Sequence, residues 1–251
     1  MPKLTESKRI LHANLPVGFV VIALAATVVL LRPPAGAQTP TDGTPTVVPL
    51  YWWADTAVPY WYKGKALPSE GSTVNAIALA GGGNAEDFNF RWRFNHVLAD
   101  TASGFGVTRF TFSTDFPVAE RVDLTLEDVD GVAIANGTLT VTPVSPEVSL
   151  YAVRPLRGVV YERALVEFTA PSGEPYDFLA APHFFLQERS TGLSYLWTLN
   201  DEKITGEFTK PWHFTLDWSP ATPSTNRLAV EVEDPARPAH VARARVTIQL
   251  R

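Results

Sequence analysis

The chain has 251 residues, enough for two domains of roughly 100 each, and it contains no cysteine. That excludes a disulfide framework, a thiol nucleophile and a thiolate metal site. A formal charge of −5 with no basic stripe makes nucleic acid and anionic lipid headgroups poor partners.

At the N-terminus, Lys3, Lys8 and Arg9 precede an apolar run of 15 residues from Val17 to Leu31. Arg32-Pro33-Pro34 ends the run, and Ala35-Gly36-Ala37 is a small-x-small pattern of the kind signal peptidase accepts. Residues 1–37 are therefore expected to form a signal peptide, cleaved between Ala37 and Gln38. The alternative is a retained anchor over residues 17–31, although a membrane span wants about 20 apolar residues. Cleavage would remove Lys3, Lys8, Arg9 and Arg32 against Glu6, taking the formal charge from −5 to −8. Residues 38–46 are rich in Pro and Thr and read as a tether. A first domain is expected over 47–145 and a second over 146–251, joined at Pro143-Val144-Ser145-Pro146.

The two halves state one passage twice. Leu50-Tyr51 and Leu150-Tyr151 hold matching places as first strands. Phe90-Arg91-Trp92-Arg93-Phe94-Asn95 returns as Tyr195-Leu196-Trp197-Thr198-Leu199-Asn200. Phe110-Thr111-Phe112 returns as Phe214-Thr215-Leu216, each about fifteen residues later. Arg121 to Asp128 is answered by Arg227 to Asp234, and from Asn to the closing Asp is 33 residues in one copy and 34 in the other. Apolar and polar residues alternate through these runs, and through Ala244, Val246, Ile248 and Leu250, as in antiparallel strands buried on one face. Asp130-Gly131 and Asn136-Gly137 are turn or bulge signals around the last strand of the first copy. No amphipathic helix is evident after residue 37.

An aromatic-x-Trp strand, a Phe-Thr-Phe strand and a Val-x-Leu-x-Leu-Glu-Asp strand resemble the immunoglobulin-like sandwich. The spacing is most similar to the PKD-type branch, whose third strand reads Tyr-x-Trp before a polar turn. The resemblance implies an all-β chain of two tandem Ig-like (PKD-type) antiparallel sandwiches, with Trp92 and Trp197 in the two cores. Lys63-Gly64-Lys65-Ala66-Leu67-Pro68-Ser69 and Arg154-Pro155-Leu156-Arg157-Gly158 also resemble exported double-domain proteins of candidate-phylum bacteria. The cysteine pair of antibody domains is missing, and sandwiches of this type host unrelated functions.

Catalytic constellations are not apparent. Gly192-Leu193-Ser194-Tyr195-Leu196 lacks the second glycine of a nucleophile elbow and leads into a strand. His96, His183, His213 and His240 are scattered, with no zinc spacing. Glu127-Asp128-Val129-Asp130-Gly131 groups three carboxylates that could hold Ca²⁺, or simply form a solvated loop. Neither catalytic residues nor a cofactor are expected. The main candidate for binding is aromatic: Tyr51, Trp52, Trp53, Tyr60, Trp61 and Tyr62 fall within twelve residues. Trp52 and Trp53 are neighbours on a strand and must face opposite ways. Exposed indoles stack on sugars or form protein hot spots, whereas buried ones pack a sheet edge or a neighbouring domain.

The expectation is an exported, non-catalytic surface or envelope scaffold that binds another envelope protein through sheet faces or edges. A glycan-binding module built on Trp52, Trp53, Tyr60, Trp61 and Tyr62 is the alternative, with an accessory role in a pilus or secretion assembly a third. Membrane contact is expected only through an uncleaved N-terminal segment.

Overall fold

The structure, a computed structural model, describes residues 46–251 except 82, 116, 172, 207–208 and 219–223. The signal segment at 1–37, the cleavage residues Ala35, Ala37 and Gln38, the anchor alternative and nearly all of the tether lie outside the described residues.

The chain is all-β and forms two consecutive immunoglobulin-like sandwiches. The first contains β1 (Thr46–Val47), β2 (Leu50–Ala54), β3 (Thr56–Ala57), β4 (Thr73–Ala78), β5 (Asn89–Phe94), β6 (Val97–Leu98), β7 (Gly104–Phe105), β8 (Arg109–Ser113), β9 (Glu120–Glu127) and β10 (Ala133–Val141). One sheet runs β1-β10-β9-β5-β6 with β7 also on β5, and the other runs β2-β4-β8. The second sandwich contains β11 (Glu147–Arg154), β12 (Gly158–Val159), β13 (Glu167–Ala170), β14 (Tyr176–His183), β15 (Phe185–Leu186), β16 (Ser194–Leu199), β17 (Glu202–Lys203), β18 (His213–Leu216), β19 (Thr225–Asp234) and β20 (Arg237–Leu250). Its sheets run β12-β11-β14-β18 and β13-β20-β19-β16-β17. In both, the first, second and fifth sandwich strands face a sheet built on the seventh, sixth and third, a Greek-key order.

Alternation explains why these segments form strands. Val122, Leu124 and Leu126 of β9 point inward with Phe110 and Phe112 of β8, and Leu228, Val230 and Val232 of β19 do the same with Phe214 and Leu216. Each core centres on a fully buried tryptophan. Trp92 lies opposite Leu124 and stacks on Phe110, while Trp197 lies opposite Val230 and stacks on Phe214. The indole N–H of Trp92 donates to the Val107 carbonyl at 2.9 Å, and that of Trp197 donates to Pro211 at 2.8 Å. These bonds answer the need of a buried indole for a polar partner.

The repeat extends to the turn after each tryptophan strand. Asn95 and His96 have φ of 47° and 71°, and Asn200 and Asp201 have 53° and 69°. Two consecutive positive φ values give the mirror-image turn that matches strand twist in a two-residue hairpin. Each Asn then ties the turn to the adjacent strand. Asn95 Oδ1 accepts the Arg121 N–H at 2.8 Å, and Asn200 Oδ1 accepts the Arg227 N–H at 2.9 Å.

Asn136-Gly137 behaves differently from its sequence signal. It lies inside β10, where Asn136 pairs with Thr125 and Gly137 with Leu124. The glycine is used for close approach: a Cβ there would sit 2.8 Å from the Val48 carbonyl oxygen. Asp130-Gly131 does form the turn before β10, with Gly131 at φ 77°. Among the described residues the only helices are three short 3₁₀ turns, and none is long and apolar enough to cross a membrane.

Candidate functional site

The aromatic cluster divides among four environments. Tyr51 and Trp53 alternate with Trp52 on β2, so they stand on the outer face of the β2-β4-β8 sheet and are exposed. Trp52 turns inward against the first core, with the Lys65 ammonium 3.2 Å from its ring centroid. Partial burial there lowers the Lys65 pKa. Tyr60 projects into solvent, 88% exposed. Trp61 and Tyr62 are half-buried against the second sandwich.

That last contact belongs to a clasp between the sandwiches. Ala57 and Thr56 of β3 pair antiparallel with Phe185 and Leu186 of β15, a ladder joining the two halves of the repeat. Phe184 N–H donates to Ala57 and Gln187 N–H to Asp55, extending the ladder at both ends. Beyond β3 the segment crosses the outer face of the β11-β14 sheet. Trp61 meets Tyr151 edge-on at 5.8 Å and stacks on Tyr161 at 6.0 Å, while Tyr62 meets His183 edge-on at 5.3 Å. This cover explains the burial of Tyr151 and Ala181, whose neighbours Leu150 and Ala180 face the core. On the other side of the junction, Arg237 donates to the Glu70 carbonyl at 3.2 Å.

Beside the clasp the two sandwiches enclose a groove of about 620 Å³. Its floor is the outer surface of β14 at Leu179 and Ala181. One wall is Tyr60 and Trp61 from the first sandwich, and the other is Tyr195 and Trp212 from the second. Trp212 is 43% exposed and is held at the groove by its backbone, whose carbonyl accepts the Ala180 N–H at 2.8 Å. Among the described residues, none that lines the groove carries a charge. Polar reach comes from the Tyr60 and Tyr195 hydroxyls and Thr191, and the Trp61 indole nitrogen is buried with no partner. Burial pushes the Tyr195 hydroxyl up to about 12, so it is a neutral donor at ordinary pH. A concave, mainly apolar hollow of this size at a domain junction is the usual form of a ligand site.

Trp212 carries no signal in the sequence. It stands in a turn before β18, and the first copy has no aromatic residue at the matching place, where Thr108 precedes Arg109.

The carboxylates considered for calcium are spent separately. Glu127 accepts from Asn89 at 3.0 Å and pairs with Arg91 at 3.5 Å, while Asp128 Oδ1 takes the N–H groups of Asp130 and Val132. Among the described residues no group of three His, Asp or Glu side chains is arranged to hold a metal ion. On the sheet faces, the Nε and Nη2 groups of Arg121 donate to the Asp123 carboxylate, which lowers the Asp123 pKa, and Arg243 pairs with Glu231.

No protein-family model matches the sequence, and no curated protein matches it. Among solved structures, the fibronectin(III)-like modules of Clostridium thermocellum CbhA are 12% identical, with a TM-score of 0.29 over 80% of this chain and 94% of theirs. The three N-terminal domains of the outer capsid protein Hoc of bacteriophage RB49 are 14% identical, with a TM-score of 0.40 over 81% of this chain and 59% of that one. A Bacteroides ovatus protein, SGBP-B of a mixed-linkage glucan utilization locus, solved with a heptasaccharide, is 11% identical, with a TM-score of 0.25 over 79% of this chain and 47% of its own. These scores are low, and the immunoglobulin-like assignment rests on strand order and pairing.

Proposed function

We propose that this chain is an exported, non-catalytic binding module that holds an extended, uncharged segment of a surface or envelope protein in the junction groove. The observation that carries the proposal is the groove itself, with opposed aromatic walls, an apolar floor and, among the described residues, no charged lining. Tyr and Trp are the side chains that dominate binding energy at protein contacts. An uncharged groove disfavours a charged occupant, which would lose hydration without gaining a counter-charge. Export rests on the N-terminal sequence alone; the resemblance to PKD-type domains rests on the Tyr195-Leu196-Trp197 strand, and that to exported proteins of candidate-phylum bacteria on the segments 63–69 and 154–158.

The test is Trp212→Ala. Trp212 is 43% exposed and belongs to neither core, so its loss should weaken capture of a purified envelope partner at least tenfold while leaving the melting temperature within a degree or two. Unchanged partner affinity would remove the groove from the proposal.

A second reading, glycan binding, is favoured by a different surface. Tyr51 and Trp53 stand about 6.8 Å apart along β2, as two strand residues on one face do. Beside them Thr111 donates to Asn75, and the Arg109 guanidinium lies 5.4 Å from the Trp53 ring centroid. Such a platform offers rings for sugar faces and polar groups for hydroxyls. Trp53→Ala should then abolish retention on a glycan column that Trp212→Ala leaves intact. Equal retention by both variants would exclude this face.

A further inference from the structure

The junction that forms the groove also collects the buried histidines. Of the four histidines between residues 46 and 251, His96 is exposed and His213 is partly covered on β18. The other two, His183 and His240, are buried, and both lie where the second sandwich meets the first.

His183 ends β14. Its ring sits against Tyr62 of the first sandwich and against Phe184, and its Nε2 is buried with no hydrogen-bond partner. Across the ladder its Cα neighbour is Glu147 at the start of β11, an exposed residue. His240 lies on β20, three residues after Arg237, whose guanidinium reaches the Glu70 carbonyl. Neither ring nitrogen of His240 has a partner of ordinary geometry among the described residues, although the Glu70 backbone lies close enough to act on the ring. The charged groups acting on it come from three elements: Arg237 on its own strand, Asp234 at the end of β19, and Glu70 in the turn of the first sandwich. The same turn is closely packed, since a Cβ at Gly71 would lie 2.1 Å from an Arg237 nitrogen.

We propose that the junction between the sandwiches is a pH-responsive clasp, closed while His183 and His240 are neutral and loosened when they take up protons. Burial at the junction tolerates the neutral imidazole, whereas the cation would be desolvated there, for His183 against the rings of Tyr62 and Phe184 and for His240 beside the Arg237 charge. For His183, burial alone lowers the pKa from 6.5. For His240, burial lowers it first and the Arg237 charge second, opposed by the Glu70 and Asp234 charges and by the Glu70 backbone as a hydrogen-bond acceptor. When the sandwiches separate, both rings reach water and regain ordinary basicity. The separated state therefore binds more protons below about pH 6.5, and closure weakens as the pH falls through that value. Above it, closure is at full strength.

The clasp supplies Tyr60 and Trp61 to one wall of the groove, so opening it would dismantle the groove. This consequence for binding rests on the proposed function; the clasp itself does not, and its test uses no ligand.

The experiment follows both imidazoles by NMR in the whole exported chain across about pH 8 to pH 5, with small-angle X-ray scattering on the same samples. Both histidines should titrate with midpoints below 6.5, and the radius of gyration should rise over the same interval. His183→Gln with His240→Gln should flatten the dependence of the radius on pH, while His96→Gln should leave it unchanged. Midpoints at or above 6.5 would overturn the proposal. So would a radius that is constant while both rings titrate, or a pH-driven expansion that persists in a folded double variant.

Discussion

Asn200 offers a sharp test of the repeated turn, because its backbone and side-chain contributions separate by substitution. Its Oδ1 accepts the Arg227 N–H at 2.9 Å and its Nδ2 donates to Asn226 Oδ1 at 2.9 Å. Two such bonds contribute about 1 kcal/mol each. The residue also sits at φ 53°, a region that costs an ordinary L-residue about 1 kcal/mol or more and glycine almost nothing. Asn200→Ala should thus lose about 3 kcal/mol and Asn200→Gly about 2 kcal/mol. Asn200→Asp, which keeps the acceptor for Arg227, should lose about 1 kcal/mol. Urea denaturation at constant m-value would measure the series. Asn95 should give the same order in the first sandwich, since it occupies the equivalent turn at φ 47°. Equal losses for Ala and Gly would refute the backbone component, and losses all below about 0.5 kcal/mol would refute the turn as a structural element.

Trp92→Ala and Trp197→Ala should each cost about 3–5 kcal/mol by denaturant unfolding, because both indoles are fully buried; a loss below about 1 kcal/mol would contradict their place in the cores. Gly71→Ala should lower the melting temperature, since φ is +70° and the added methyl meets the Arg237 guanidinium; an unchanged melt would show that Arg237 is not held at the turn. Trp61→Ala, unlike Trp212→Ala, should lower stability as well as partner binding, because Trp61 packs on Tyr151 and Tyr161. For Tyr195 the folded pKa, about 12, exceeds the ordinary value of 10. Its contribution is present below pH 10 and is lost as pH rises towards 12, so Tyr195→Phe should reduce the loss of stability measured in that interval.

Much of the fold was legible because it depends on local alternation. The runs around Trp92 and Trp197, and those from Val122 and Leu228, placed inward and outward residues as the strands do. Leu50 and Leu150 pair with Ala78 and Ala180, equivalent positions on the second strand of each sandwich. Asn136-Gly137 misleads because a dipeptide that favours a hairpin turn also suits a strand approached closely by another backbone, and only the position of Val48 distinguishes them. The aromatic cluster could be seen as a cluster, and the opposite facing of Trp52 and Trp53 follows from strand geometry. Its division could not be foreseen, because the fate of Trp61 and Tyr62 is set by β15, His183 and Tyr151, more than 85 residues away. Trp212 was illegible for a related reason: it lies outside every periodic run and gains its role from a wall supplied by the other sandwich.

The most direct measurement is crosslinking mass spectrometry on intact cells producing either the unaltered chain or Trp212→Ala. Crosslinks from the rim of the groove, near Tyr60 and Thr191, to one envelope protein should appear with the unaltered chain and fall at least tenfold with the variant. Crosslinks to that protein from other faces, undiminished by the substitution, would contradict binding at the junction.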